Sequence, residues 1–242
     1  MQYQYEVNKK NYEDLASGRV LYNAPGTTSF PVRLASEIVQ RCFEILQEKG
    51  NQGPYTLYDP CCGGAYLLTV IGILHGQRFA KLIASDIDHK VLKIASKNLA
   101  LLSAEGLNVR KEQLTEYSNL YKKQSHAEAL KSVETLEGMI RKSNMDTYCF
   151  QKDITEIDRI NKECSHVNLI ITDLPYGDLV SWKSDDPNPI SRFFEQIYLI
   201  ADPKSSVIAI IADKNQKIKH EKFKRLQNFK IGKRQVGLFE PI

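Results

Sequence analysis

The chain of 242 residues is 42% hydrophobic and 26% charged, which fits one globular α/β domain with a substantial core and is too short for two full domains. No run approaches eighteen apolar residues, and the start, MQYQYEVNKK, lacks the apolar stretch of a secretory signal; a membrane or secreted protein is therefore disfavoured and a cytoplasmic location expected. A net charge of +4 excludes little, whereas five cysteines without a Cys-x-x-Cys pair argue against a disulfide framework or a zinc site, so no metal is expected.

In chain order, residues 1–50 carry the turn NAPGTTSFP and then a helix predicted from Val32 to about Gln47. A β-rich run, YTLYD (55–59), leads through a glycine turn into helical spacing at Leu67, Leu68, Ile71 and Leu74. A second run, KLIASD (81–86), precedes another helix marked by Leu92, Ala95, Leu99 and Leu102. Residues 103–146 are too long for an ordinary loop, and Leu114, Tyr117 and Tyr121, then Leu130, Val133, Leu136 and Ile140, predict an inserted helical hairpin. Three further strands follow: TYCFQKD (147–153), VNLIITD (167–173) and SVIAIIAD (206–213). All five runs finish on aspartate. The final NFKIGKRQVGLFEPI reads as two strands joined around Gly232 and Lys233. Strand alternating with helix implies a doubly wound, mostly parallel sheet, here ending in an antiparallel hairpin, with ligands at the carboxyl ends of the strands.

The first strand runs into DPCCGGAYLLT, a strand, turn and helix start that suit a nucleoside or phosphate. A dinucleotide site would place a third glycine in this turn, and a P-loop would place a lysine at the helix start; the sequence has neither. It does have an acid, Asp59, four residues before Gly63, and a second acid, Asp86, ending the next strand. This arrangement resembles the Rossmann-like S-adenosylmethionine-dependent methyltransferases, whose turn reads Asp/Glu-x-x-x-Gly-x-Gly. The resemblance implies that Asp59, Cys61, Gly63 and Gly64 line the methionine part of the cofactor, with Ala65 standing where the second glycine usually is. Asp86 would hold the ribose, Ile87 would pack on the adenine, and Asp153, followed by Ile154, would accept the adenine amine. Arg33 is expected either to face the cofactor carboxylate or to form a surface ion pair.

TDLPY ends the fourth strand, at the place where that class carries Asp/Asn-Pro-Pro-Tyr/Phe and methylates planar exocyclic amines. Asp173 and the Leu174 carbonyl can each accept one N–H of such an amine, directing its lone pair at the donor methyl, while Pro175 stiffens the loop and Tyr176 offers a stacking face. The longer segments NAPGTTSFPVRLASEIVQR, LYDPCCGGAYLLTVIGILHG, IASDID, ASKNLALLS and ITDLPYG, in this order and with the long insert, look like the avilamycin-resistance ribosomal RNA methyltransferases. That resemblance implies methylation of a guanine base in large-subunit ribosomal RNA, with the exocyclic amine as the expected target and orthosomycin resistance as a possible outcome. Leu174 agrees with that family, whereas Ala65 departs from its Gly-Ser-Gly turn.

An RNA or ribosomal-particle partner suits the charge distribution, since Lys214–Arg234 holds nine Lys or Arg against one acid, Glu221. Lys214, Lys217, Lys219, Lys222, Lys224, Arg225, Lys230, Lys233 and Arg234 are the expected phosphate contacts. Arg110, Lys111, Lys122, Lys123, Arg141 and Lys142 of the insert would clamp an RNA loop, and Trp182 would either stack on a base or pack partly buried. The expected state is a monomer or weak dimer. The competing readings are a DNA or protein N-methyltransferase, a small-molecule methyltransferase, and a non-catalytic RNA-binding module on the same fold.

Overall fold

The computed structural model describes residues 2–24, 29–140, 144–156, 164, 166–175, 182 and 187–242. Seven strands form one sheet in the order β3-β2-β1-β4-β5-β7-β6. They are β1 (Tyr55–Asp59), β2 (Phe79–Asp86), β3 (Asp146–Gln151), β4 (Leu169–Asp173), β5 (Val207–Asp213), β6 (Phe223–Ile231) and β7 (Arg234–Pro241). The first five pair in parallel; β7 runs antiparallel to β5, and β6 antiparallel to β7. The chain moves outward from β1 to β3 and then returns to place β4 on the other side of β1. The switch point expected from the strand and helix order therefore lies between β1 and β4.

Strand alternation sorts the core into two layers. Leu57, Leu82, Leu169, Ile171, Ala209 and Ile211 face one side, where they meet α1 (Val32–Glu48), α2 (Tyr66–His75) and α3 (His89–Ala100). Tyr58, Ile83, Ile170, Ile208 and Ile210 face the other, against α6 (Pro189–Ile200) through Phe193, Phe194, Ile197 and Ile200. The elements expected from the sequence do not include α6. Its start has a physical cause all the same: the Asn188 side chain accepts from Ser191 N at 3.3 Å, and proline, preset in φ, stands in the first turn.

The insert is the expected hairpin of α4 (Ala104–Tyr121) and α5 (Gln124–Ile140). Its buried seam of Leu107, Leu114, Ala129, Val133, Leu136 and Ile140 joins the first core layer. The third strand differs from expectation. It stops at Gln151, so Asp153 lies two residues beyond it rather than at its end. No helix among the described residues is long and apolar enough to cross a membrane.

Residues before the sheet are fastened to α1. The Glu37 carboxylate, fully buried, accepts from Gln4 N, Tyr5 N and Glu6 N at 2.8–2.9 Å and pairs with Arg41 at 2.8 Å. Burial opposes its charged form, but the three backbone N–H groups and Arg41 outweigh burial and hold its pKa below the usual carboxylate value.

Candidate active site

The turn after β1 is cross-linked to the end of β2. Cys61 N donates to Asp59 Oδ1 at 3.1 Å, Cys62 N to the Ser85 carbonyl at 2.9 Å, and Gly63 N to Asp86 Oδ2 at 2.9 Å. Asp88 N takes the other Asp86 oxygen at 3.0 Å. Each oxygen of Asp86 thus holds one backbone N–H and keeps a second lone pair for an incoming hydroxyl. Gly63 adopts φ +52°, and among the described residues nothing lies within 4 Å of where a Cβ would stand, so its backbone faces open space. That is the cradle a cofactor's main chain needs.

Gly64 does something else. A Cβ there would come within 2.9 Å of Ala24, so this glycine permits close packing beneath the N-terminal segment. Its carbonyl accepts from Asn98 Nδ2 at 2.8 Å, and the same amide group brackets Tyr22, donating to its carbonyl at 3.0 Å and accepting from its N–H at 2.8 Å. Asn98 is fully buried on α3, and the sequence reading misses it. The available signal is an asparagine set beside Leu99 on the otherwise apolar face of a helix. Ala65, where the second glycine usually stands, is the N-cap of α2 and itself takes the left-handed conformation (φ 54°, ψ 26°) that favours glycine.

Asp59 is 2% exposed. Burial, reinforced by the charges of Asp86 and Asp173, pushes its pKa up to about 7, against the opposing Thr172 hydroxyl and Cys61 N–H. The mutual influence of these three carboxylates reflects their convergence on one region from the ends of β1, β2 and β4. Burial first, then the charges of Asp59 and Asp86, pushes the Cys61 and Cys62 thiols well up, which leaves both protonated and poor nucleophiles.

At the end of β4, Leu174 is buried and its N–H donates to the Ile211 carbonyl at 2.9 Å, continuing the β4–β5 ladder into the loop. Pro175 is half-buried, and Tyr176 lies outside the described residues. Arg234 Nε stands 3.9 Å from Asp173 Oδ2. Its guanidinium is also 5.5 Å from the Phe30 ring centroid.

Beyond β3, Asp153 Oδ1 accepts from Thr155 N at 2.8 Å and from Thr155 Oγ1 at 2.7 Å. Ile87 is half-buried, with its carbonyl accepting from Gln151 Nε2 at 2.9 Å. Ile154 differs from expectation, being 7% exposed and packed in the second core layer with Cys164 and Ile170. Arg33 is also a correction. Its guanidinium donates to the Glu6 carbonyl at 2.7 and 3.0 Å and to the Val7 carbonyl at 2.9 Å, and lies 3.9 Å from the Tyr3 ring centroid, so it fastens the N-terminal segment.

The basic run divides along β6 and β7. Asp213 pairs with Arg234 and Ile231 with Arg234, which puts Lys214, Lys230, Lys233 and Arg234 at the carboxyl end of the sheet beside Asp173. Phe223 pairs with Pro241, so Lys222 and Lys224 lie at the opposite end. There Lys224 bonds Glu240 at 3.3 Å, Lys222 covers the Tyr198 ring at 4.9 Å, and Arg225 donates to the Ile218 carbonyl and covers Phe239 at 5.2 Å. These three cations serve the fold rather than the cleft. Lys217 and Lys219 are exposed on the connection between β5 and β6. In the insert, Arg110 is buried, donates to the Val20 carbonyl at 2.9 Å and lies over Tyr22 at 4.2 Å, which removes it from the RNA-clamp set. Lys111 pairs with Glu137 at 3.4 Å, Lys122 and Lys123 are exposed, and Arg141 and Lys142 lie outside the described residues. Trp182 is half-buried and packs edge-on to Phe193 at 6.4 Å, favouring its packing role. Among the described residues no group of three or more His, Cys, Asp or Glu could hold a metal ion.

A strand-end acidic cluster around an open glycine turn, with an Asp-x-Pro loop across the switch point, is an arrangement that comparison with known proteins can test. A curated relative from Streptomyces viridochromogenes, the 23S rRNA (guanine(2535)-N(1))-methyltransferase, is 37% identical over 241 residues, covering 98% of this chain and 94% of that protein. The solved structure of rRNA methyltransferase aviRa from the same organism superposes with a TM-score of 0.88 at 34% identity, covering 98% of this chain and 96% of that one. TrmN from Thermus thermophilus shares the fold alone, at TM-score 0.53 and 14% identity over 90% of this chain and 51% of that one. The family described as rRNA methyltransferase AviRa matches residues 1–234, and with that match and those relatives the chain belongs to this family of methyltransferases.

Proposed function

We propose that this protein methylates N1 of a guanine in large-subunit ribosomal RNA, with S-adenosylmethionine as donor. The observation that carries the reading is that the strands ending in Asp59, Asp86 and Asp173 lie side by side and finish at one edge of the sheet, in a chain 37% identical to a relative named as a 23S rRNA guanine N1 methyltransferase. The relative is named for N1, a ring nitrogen, and the reading takes that atom in place of the expected exocyclic amine. The two differ chemically. A ring N1 carries a single proton within a lactam and becomes nucleophilic as that proton leaves, so the site needs a proton acceptor as well as an orienting contact.

When bound, the cofactor supplies an electrophilic methyl group whose sulfur departs with the bonding pair. The chain's own residues suit such a guest. The open backbone of Gly63 would line the methionine part, the remaining lone pairs of Asp86 would take the ribose hydroxyls, and Asp153 would take the adenine amine. Asp59, too buried to ionise comfortably alone, gains a counter-charge from an α-ammonium group. Asp173 accepts the N1 proton at the mouth of β4. Pro175 restricts the loop that carries it, and Tyr176 offers a face to the base. In a duplex N1–H of guanine is engaged by its cytosine, so the target is unpaired or flipped out, and Lys214, Lys217, Lys219, Lys230 and Lys233 hold the surrounding phosphates. Such a substrate places the enzyme in the cytoplasm, and protection against avilamycin is the phenotype to score in cells carrying the gene.

Primer extension on ribosomal RNA from cells with and without the gene tests this reading. A methyl on N1 removes a Watson–Crick donor and arrests the polymerase, so one gene-dependent stop at a guanine is expected. Methylation that produces no stop, as on the exocyclic amine, would overturn it.

A further inference from the structure

We infer that Arg234 and Asp173 together read the lactam edge of the target base, the guanidinium donating to O6 while the carboxylate accepts N1–H. The inference rests on the N1-guanine reading above and goes beyond it by assigning specificity and charge stabilisation to a residue that sequence alone counts among the phosphate contacts. Arg234 opens β7 directly after the tight turn at Gly232, and its antiparallel pairing with Asp213 of β5 places it at the carboxyl edge of the sheet. Its Nε lies 3.9 Å from Asp173 Oδ2, close enough for a strong Coulombic contact but too long for a hydrogen bond. That Nε is buried and makes no hydrogen bond among the described residues, an arrangement that asks for an acceptor from outside. The Phe30 ring, its centroid 5.5 Å from the guanidinium carbon, flanks the group on one side.

A guanidinium beside a carboxylate presents donors next to an acceptor. Guanine presents the complement, the O6 acceptor next to the N1–H donor. Adenine and cytosine carry the reverse order on this edge, an amine donor beside a bare ring nitrogen, so each would set donor against donor and acceptor against acceptor. A site built on such a pair rejects the wrong edge strongly, because its own buried polar groups are left unpaired. The same contact assists the reaction. As the N1–H bond breaks and its proton passes to Asp173, the electron pair left behind delocalises onto O6, where the fixed positive charge of Arg234 stabilises it; the proton then leaves Asp173 for solvent.

The test compares wild type, Arg234→Gln and Arg234→Lys in single-turnover methylation of a large-subunit ribosomal RNA transcript at saturating RNA, across pH, with RNA affinity measured separately over a range of salt. For Arg234→Gln, the maximal rate is expected to fall roughly 100- to 1,000-fold, and the acidic limb of the rate profile to move to higher pH. Cofactor affinity and melting temperature should stay near wild type. Arg234→Lys keeps the charge without the fork and should fall between the two. A transcript with hypoxanthine at the target, which retains O6 and N1–H, should remain a substrate of wild type and show the same loss with Arg234→Gln. An unchanged rate at saturating RNA, with weaker binding and a salt slope shallower by about one, would make Arg234 a phosphate contact and overturn the inference. Should Arg234→Gln fail to fold, wild-type rate and pH profile in Arg234→Lys would overturn it equally. If the wild-type product were not N1-methylguanine, the underlying reading would fail instead, a result visible before any variant is made.

Discussion

The two sides of the switch point are built differently. On the β1–β2 side, the turn is held by its own hydrogen bonds: Cys61 N to Asp59, Cys62 N to Ser85, Gly63 N to Asp86, and Asn98 to the Gly64 carbonyl. On the β4–β7 side, Arg234 Nε stands 3.9 Å from Asp173 Oδ2. In the proposed reaction the cofactor half is a turn organised by its own hydrogen bonds, whereas the base-binding half brings opposite charges together at the edge of the sheet. Such a division suits an ordered reaction in which a small, invariant cofactor meets a rigid cradle and a large RNA completes the site.

The sharpest way to break this contrast is Asp173→Asn, which preserves shape and removes the proton acceptor. Methyl transfer should fall about 100- to 10,000-fold, while calorimetry should find S-adenosylmethionine affinity little changed. Equal loss of both would mean that the two halves are not separable.

Asp59 offers a sharper view of the cofactor half through pH. Its folded pKa, about 7, lies above the unfolded value, so its contribution favours the folded state fully below pH 4 and is lost as pH rises through 7. Binding of a cationic guest favours the ionised carboxylate, so cofactor uptake should release a proton below pH 7 and tighten between pH 6 and about 8. Asp59→Asn should flatten this pH dependence in calorimetric titrations. A wild-type affinity independent of pH would show that the carboxylate does not sense the cofactor.

Asn98→Ala should destabilise the protein by about 2–4 kcal/mol, because the Gly64 carbonyl and the Tyr22 backbone lose their shared partner. Denaturant melts would register the loss, and cofactor affinity should weaken with it if the turn is held from below. Ala65→Gly should have the smallest effect, within about 1 kcal/mol of wild type, since relief of a left-handed alanine is offset by loss of a fully buried methyl group. A large change in either direction would mean that strain or packing wins at this position.

Legibility followed the physics of each feature. Strands β1, β2, β4 and β5 were readable because parallel strands buried on both faces are nearly continuous apolar runs, and the acids at their ends stood out against them. The α4–α5 hairpin was readable from spacing. By contrast, α6 was hidden by a preceding stretch of Ser, Asp, Asn and Pro, although Asn188 and Pro189 mark its start. Whether a cation serves RNA or its own fold could not be read from charge at all. Lys224 and Lys233 stand nine residues apart in one basic run, yet antiparallel pairing sends them to opposite ends of the sheet. Arg33 and Arg110 likewise acquired their roles from an N-terminal segment whose position only the folded chain reveals.

The most direct measurement is nucleoside analysis of a large-subunit ribosomal RNA transcript after incubation with purified protein and methyl-labelled S-adenosylmethionine. The account predicts label in N1-methylguanosine with wild type and its near disappearance with Asp173→Asn. Label in any other nucleoside, or an undiminished yield with Asp173→Asn, would contradict it.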